Sequence, residues 1–356
     1  MHQVQPNPPR RSDSRHEQMP QDPWTEARPM NNIVVAGQKR PLESLFRAMY
    51  HDKFDFQDFV SGDIASNYEI AHYKKHDKTR EVLKPNKKLK AFHTFLNLFL
   101  FERLPVNKDV VFSYRKGVGT YDAVAPHAKS RRFFQADISA FFASINRKMV
   151  SDIISAGQDC TPIADVDVYK DRILDLVCIG DTLPTGLPAS PTITNAVLRP
   201  FDDSLEAHCQ SISAIYTRYS DDLIISAQDQ EPLSQIKDHI ALTLSDFTAG
   251  RLVLNERKCR YFRIGGKVKI LGMVILPIGQ VGVDSKIRAE IETLLHFYLR
   301  DRSKFLDKID GDLDKGVERV SGFLNYINTI DKGYLEKLRR KYGATIIDMF
   351  VHRSFE

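Results

Sequence analysis

The chain has 356 residues, enough for one large domain or two to three compact subdomains, and at 42% hydrophobic and 27% charged its composition is ordinary for a soluble globular protein. Its formal net charge is +5, a weak pointer to a polyanionic partner. Four dispersed cysteines without a C-x-x-C pair (Cys160, Cys178, Cys209, Cys259) argue against a zinc site or a disulfide framework. The longest apolar run, around Phe95 to Phe101, is too short to cross a bilayer and is broken by Asn97, and the N-terminus has no apolar signal core. A cytoplasmic protein with no membrane association is expected.

Residues 1–31 are rich in Pro, Gln, Arg, Asp and Ser without periodicity and read as a disordered tail. A helical pattern starts near Pro41, and residues 86–104 read as a further helix. Residues 71–132 hold 15 Lys or Arg against 5 Asp or Glu. This stretch is either a solvated surface or a track for nucleic-acid phosphates. Phe133 to Ile138 reads as a short strand, Phe141 to Val150 as a turn and helix, and Pro188 to Leu205 as a helix opening at a Pro-rich turn. Ala214–Tyr219 and Leu223–Ala227 read as strands around a tight turn, and Leu233–Phe247 as an amphipathic helix. Strands are expected at Arg251–Leu254, Lys258–Ile264 and Val268–Ile275, and helices from Ser285 onward.

The chemistry concentrates in the tight turn. Tyr219-Ser220-Asp221-Asp222 places two carboxylates at a hairpin tip. Nucleotidyl transfer uses two divalent cations about 3.5–4 Å apart. Hard cations take a few carboxylate oxygens and leave the rest of their coordination to substrate phosphates. Neighbouring strand residues point to opposite faces, so both carboxylates reach one site only if the turn re-aims one of them; Asp221 is expected as principal ligand and Asp222 as secondary. The plainer reading, a turn made of good turn formers, stands beside it. Asp137 ends an apolar strand, where burial is costly without a cation or donor. It is either a third ligand or a cap for the following helix.

Together these segments resemble bacterial reverse transcriptases of the retron and group II intron lineage, in order over residues 79–340. Arg80 to Pro85 resembles the R-x-I-x-x-P finger strand, and Tyr114-Arg115-Lys116-Gly117 the Y-R-K-G segment. Asp137 through Ile145 resembles D-I-x-x-F-F-x-S-I, Leu183 to Pro191 with Asn195 resembles L-P-Q-G-x-P-x-S-P-x-x-x-N, and Arg218 to Asp222 resembles R-Y-A-D-D. Leu254-Asn255-Glu256-Arg257-Lys258 resembles L-N-x-x-K, Ile270-Leu271-Gly272 the primer-grip L-G, and Phe323 to Ile327 the thumb helix. Thr185 replaces the family's usual Gln and Ser220 its usual Ala. Asp122 to His127 and Ile270 to Gly272 match the retron elements N-A-x-x-H and V-T-G imperfectly.

The resemblance implies an α+β right-hand polymerase with fingers, an antiparallel-sheet palm with an RRM-like core, and a helical thumb. Its divisions would be residues 32–132 for N-terminal helices and fingers, 133–284 for the palm (with a fingers insertion at about 146–182), and 285–356 for the thumb. It implies an RNA-directed DNA polymerase copying a dedicated noncoding RNA, with Mg2+ held by Asp137, Asp221, Asp222 and Ile138, and Mn2+ as a substitute. Arg80 and Lys84 would hold the triphosphate, with Ile138, Thr185 and Gly186 around the nucleotide. Phe142 would exclude a ribose 2′-OH, and Lys258 would protonate the leaving pyrophosphate. The basic block and the thumb would grip the RNA–DNA duplex. An antiphage role with an effector protein is a further expectation of the lineage. Template-independent DNA synthesis, RNA-directed RNA synthesis and a non-catalytic RNA-binding scaffold are the rival readings.

Overall fold

A computed structural model describes residues 39–75, 78–266, 268–309 and 311–352. The expected tail at residues 1–31 lies outside them.

The N-terminal part is organised by aromatic rings. Helix α1 (Leu42–Tyr50) buries Leu42 and Phe46 one turn apart. The Phe46 ring contacts those of Tyr50, Phe56, Phe59, Phe92 and Phe95, with centroids 5.0–5.9 Å apart. That ties α1 to α2 (Phe56–Ser61) and α3 (Lys87–Phe99), whose starts are capped by the Asp55 and Asn86 side chains. Between α2 and α3 lies an antiparallel hairpin, β1 (Tyr68–Lys75) with β2 (Lys78–Pro85).

The central four-stranded antiparallel sheet has the order β4-β5-β3-β6, built from β3 (Arg132–Asp137), β4 (Ile215–Tyr219), β5 (Asp222–Ala227) and β6 (Arg260–Arg263). Helix α4 (Thr120–Val124) precedes these strands along the chain, and α5 (Arg147–Gly157), α6 (Val166–Val177), α7 (Ser190–Val197), α8 (Arg199–Ser211) and α9 (Ile236–Thr248) are interleaved with them. Alternation sorts its faces. Phe134, Ala136, Tyr216, Leu223 and Ile225 join Phe201, Leu205, Ile240 and Leu244 in one large core, so this face packs on α8 and α9. Phe133 and Ile224 point the other way, into a second core.

The second core joins a three-stranded sheet, β7 (Val268–Ile270), β8 (Met273–Leu276) and β9 (Gln280–Val283), to the C-terminal helices α10 (Ser285–Arg300), α11 (Arg302–Lys308), α12 (Leu313–Ile330), α13 (Lys332–Tyr342) and α14 (Ala344–His352). Helices α10 to α13 each begin on an aspartate, Asp284, Asp301, Asp312 and Asp331, whose carboxylate accepts a main-chain N–H of the first turn. Such caps contribute about 1 kcal/mol each. Among the described residues no helix is long and apolar enough to cross a membrane.

Three expected elements differ. The helix at 188–205 is two helices, because Pro200 in the first turn of α8 lacks the N–H a continuous helix would use and the break falls at Leu198. The strand at 268–275 turns back at Leu271 and Gly272, both at positive φ. Arg251–Leu254 makes only an isolated bridge, Ile138 to Leu254.

The loop at 183–188 lies against β2. Thr185 O accepts the Leu83 N–H at 2.9 Å, and Gly186 stands at φ +107°. A Cβ there would sit 2.2 Å from Leu83 O and 2.8 Å from Val82 Cγ1. Gly186→Ala is expected to lower unfolding stability on the order of 2–3 kcal/mol, through backbone strain and separation of the loop from β2. Denaturant titration of both proteins measures it; equal midpoints would show that the loop yields without cost.

Candidate active site

The sheet brings the sequence-marked carboxylates together. In the β3–β5 ladder Asp137 lies directly opposite Asp222, and directly opposed residues share a face. Asp222 also pairs with Tyr219, so Ser220 and Asp221 form a two-residue hairpin loop. Ser220 is at φ +61° while Asp221 is not at positive φ, the sign pattern of a type II′ turn. Asp221 is therefore the carboxylate re-aimed by the turn, and Asp222 is the ladder partner of Asp137. Both stand on the face turned away from α8 and α9.

The three charges feel one another. Burial, then Asp221 and Asp137, push the Asp222 carboxyl up to about 6. Burial also raises Asp221; a main-chain hydrogen bond opposes this and the charge of Asp137 adds to it. Asp137 is buried, and its two oxygens meet Lys258 Nζ at 2.5 Å and Asn255 Nδ2 at 3.2 Å. Among the described residues no three Asp, Glu, His or Cys side chains converge as a ready ion cage. The donor chemistry nevertheless suits a hard divalent cation: few carboxylate oxygens under mutual repulsion, which a cation relieves. Ile138 has a core side chain, and its N–H donates to Asp221 O at 3.0 Å. A ligand role is open only to its main-chain carbonyl.

A buried polar network holds the turn from below. Arg218, fully buried, donates from Nε and Nη2 to Asp202 of α8 at 2.8 and 2.6 Å. Its Nη1 reaches Asn195 Oδ1 of α7 and Ser220 O. Tyr216 OH donates to the same Asp202 at 2.8 Å. Burial lowers the guanidinium's pKa, but the charge and hydrogen bonds of Asp202, with Tyr216 adding to them, together hold it above its ordinary value. From the other side Ser113 Oγ accepts the Ser220 N–H at 2.8 Å, and the hydroxyls of Tyr114 and Ser220 lie 2.6 Å apart. His127 bridges the hairpin strands, with Nδ1 2.6 Å from Ser226 Oγ and Nε2 2.8 Å from Thr217 Oγ1. Burial pushes this imidazole down to about 3, so it is neutral.

The remaining expected residues lie around this centre. Arg80 and Lys84 are exposed on β2 and share the strand face of Val82, the side chain nearest Gly186. Lys84 Nζ stands 5.3 Å from the Tyr73 ring centroid, and Arg80 has no ion-pair partner among the described residues. Thr185 is exposed beside them, and the close approach that Gly186 permits is to β2. Phe141 is core and Phe142 half-buried beside it, their rings 5.4 Å apart. The basic block 71–132 is not one surface. Arg80 and Lys84 lie on the hairpin, whereas Lys129, Arg131 and Arg132 lie at the end of the central sheet farthest from the carboxylates, because β3 runs between them.

Sequence reading left Asp202, Ser113 and Gln135 without roles. Asp202 is one acid among several on α8, and Ser113 precedes a recognised motif without belonging to it. Gln135 holds the Asp222 carboxyl down slightly from two residues before Asp137, on the same face by alternation, the one signal that pointed to it.

An antiparallel sheet with an acid-tipped hairpin beside a third strand-end aspartate, flanked by helices and a β-hairpin, defines a nucleotide polymerase of the palm type. A family model described as reverse transcriptase (RNA-dependent DNA polymerase) matches residues 73–275. The chain belongs to that family and is an RNA-directed DNA polymerase, a class that depends on divalent metal. It is 24% identical over 272 residues to the retron Ec86 reverse transcriptase of Escherichia coli, covering 74% of this chain and 78% of that protein. The retron Ec83 enzyme of Escherichia coli is 21% identical, over 82% of this chain and 92% of its own. The retron Mx65 enzyme of Myxococcus xanthus is 25% identical, over 72% of this chain and 60% of its own. Among solved structures, apo telomerase from Candida tropicalis aligns with a TM-score of 0.42 and 12% identity, over 83% of this chain and 63% of that one.

Asp222 makes a pH-dependent contribution to stability. Its carboxyl stands at about 6 in the fold against 3.8 ordinarily. A raised pKa means that the folded chain binds this proton more tightly, so stability is lost as pH rises from about 4 through about 6. In metal-free buffer Asp222→Asn is expected to stabilise the protein above pH 6 by about 1–2 kcal/mol, allowing for partial exposure, and to give no gain below about pH 4. Thermal melts across that range check it; a gain that is constant with pH would remove the assignment.

Proposed function

We propose that this enzyme extends a primer 3′-OH with deoxynucleotides by two-metal chemistry at Asp137, Asp221 and Asp222, with the Ile138 carbonyl as an additional oxygen donor. The observation that carries this reading is the Asp137–Asp222 ladder pair with Asp221 beside it in the turn. Two magnesium ions, or manganese in their place, when bound acidify the attacking hydroxyl and neutralise the triphosphate. The chain's own residues do the rest. Asp137 and Asp222 present oxygens from adjacent strands fixed by main-chain bonds, so little reorganisation is required. Arg80, which has no ion-pair partner among the described residues, and Lys84 orient the triphosphate from β2. Thr185 and Gly186 carry the nucleotide-facing loop that β2 holds. Phe142 closes the space beside the sugar to a 2′-OH. Lys258, an ammonium already at the carboxylate cluster, gives a proton to the departing pyrophosphate.

The proposed divisions are fingers from residues 39–132 with 146–182, a palm from the rest of 133–284, and a thumb beyond. The likeness to several retron enzymes supports a dedicated noncoding RNA as template and, by lineage, a role in antiphage defence with an effector protein.

Extension of a primed RNA template with magnesium is expected for the parent and absent for Asp221→Asn. Phe142→Ala is expected to accept ribonucleotides that the parent rejects, with discrimination falling by at least tenfold, that is about 1.4 kcal/mol or more. Equal extension by the parent and Asp221→Asn would remove the catalytic assignment, and ribonucleotide use by the parent would remove the gate. Protein purified from its native host is expected to carry a templated cDNA joined to RNA. An untemplated homopolymer in its place would overturn the template assignment.

A further inference from the structure

We infer that the end of the central sheet farthest from the carboxylates carries a second nucleic-acid site, a trough for the phosphodiester backbone of RNA outside the copied segment. The inference rests on the RNA-directed reading above. Two adjoining cavities of about 560 and 530 Å³ share Arg131 and Gly265 and so form one trough. Arg132 and Arg263 line the first, Lys129 lines the second, and Arg131 lines both. Among the described residues Asp229 is the one carboxylate in either lining. None of the four cations has an ion-pair partner among the described residues.

The ladder makes the case sharper. Arg132 lies directly opposite Arg263 on adjacent strands, so two guanidinium groups project side by side from one face. Like charges in that position are destabilising unless an anion stands between them. Arginine forks suit phosphate oxygens. Cations spread over both cavities suit consecutive phosphates better than one small anion.

The position identifies the strand. Arg132 and Asp137 are separated along β3 by roughly 17 Å, and an odd number of steps puts them on opposite faces. A duplex seated at the carboxylates therefore does not fill the trough. New DNA begins at the carboxylates and is too short to reach the trough during early synthesis. The RNA runs beyond the copied segment from the outset.

The test uses the full chain and a short primed RNA–DNA hybrid, either alone, with a single-stranded oligouridine tail on the RNA, or with an oligothymidine tail on the DNA primer. The variant is Arg131→Glu with Arg263→Glu, both exposed side chains. Extension of the untailed hybrid is expected to be unchanged, and the thermal melt to be no lower than the parent's, since Arg263→Glu puts a carboxylate opposite Arg132. Affinity for the RNA-tailed hybrid is expected to fall on the order of tenfold, and the slope of log K against log salt to shrink by roughly 1–2. The DNA-tailed hybrid is expected to bind both proteins equally. No loss with the RNA tail would overturn the site. Loss with the DNA tail, alone or in addition, would overturn the RNA assignment. If the parent does not extend the untailed hybrid, the underlying polymerase reading fails instead, a separate result.

Discussion

The active-site hairpin rests on one buried ion pair. Arg218 and Asp202 have no solvent exposure, and each would be costly to bury alone. Joined through two hydrogen bonds, they clamp β4 to α8. The remaining Arg218 donors then fasten the Ser220 carbonyl and the Asn195 amide. The turn that carries Asp221 is held by charge from beneath and by Ser113 and Tyr114 from the side. Without that anchorage, a non-glycine residue at positive φ would tend to relax, and the carboxylates would lose their common face. A buried pair of this kind adds little net stability, whereas removal of either partner would leave an uncompensated buried charge, at a cost of about 3–5 kcal/mol.

Much of the site was legible in the sequence because its chemistry is local. Asp137, Asp221 and Asp222 sit in short segments whose residue types announce them, and strand alternation alone required one hairpin carboxylate to be re-aimed. Which one depended on register. Register is a relation between β3 and β5, some 85 positions apart in the chain, and no local pattern reports it. The same limit hid Asp202, whose meaning comes from a partner on another element. Residues 68–75 carried no expectation because β1 is mostly exposed and polar, and takes its strand form from pairing with β2.

The charged block at 71–132 shows the converse. Density along the chain suggested one phosphate track, yet the fold puts Arg80 and Lys84 on the β1–β2 hairpin and Lys129, Arg131 and Arg132 at the far end of the central sheet. The six residues of β3 hold the second group apart from Asp137, since each residue advances about 3.3 Å and reverses the side-chain direction. The helix at 188–205 failed differently. Proline was admitted at its opening turn, but a later proline, Pro200, restarted the count and made two helices that hold Asn195 and Asp202 at separate points of one network.

The aspartate caps of the C-terminal helices have a consequence for how that unit meets a polyanion. A bare helix N-terminus offers free N–H groups and a positive dipole end, a ready seat for phosphate. In α10 to α13 each such seat is already taken by a carboxylate of the same chain. A phosphate approaching the start of any of these four helices therefore meets a carboxylate before it meets the dipole, so these helix starts repel rather than seat a polyanion.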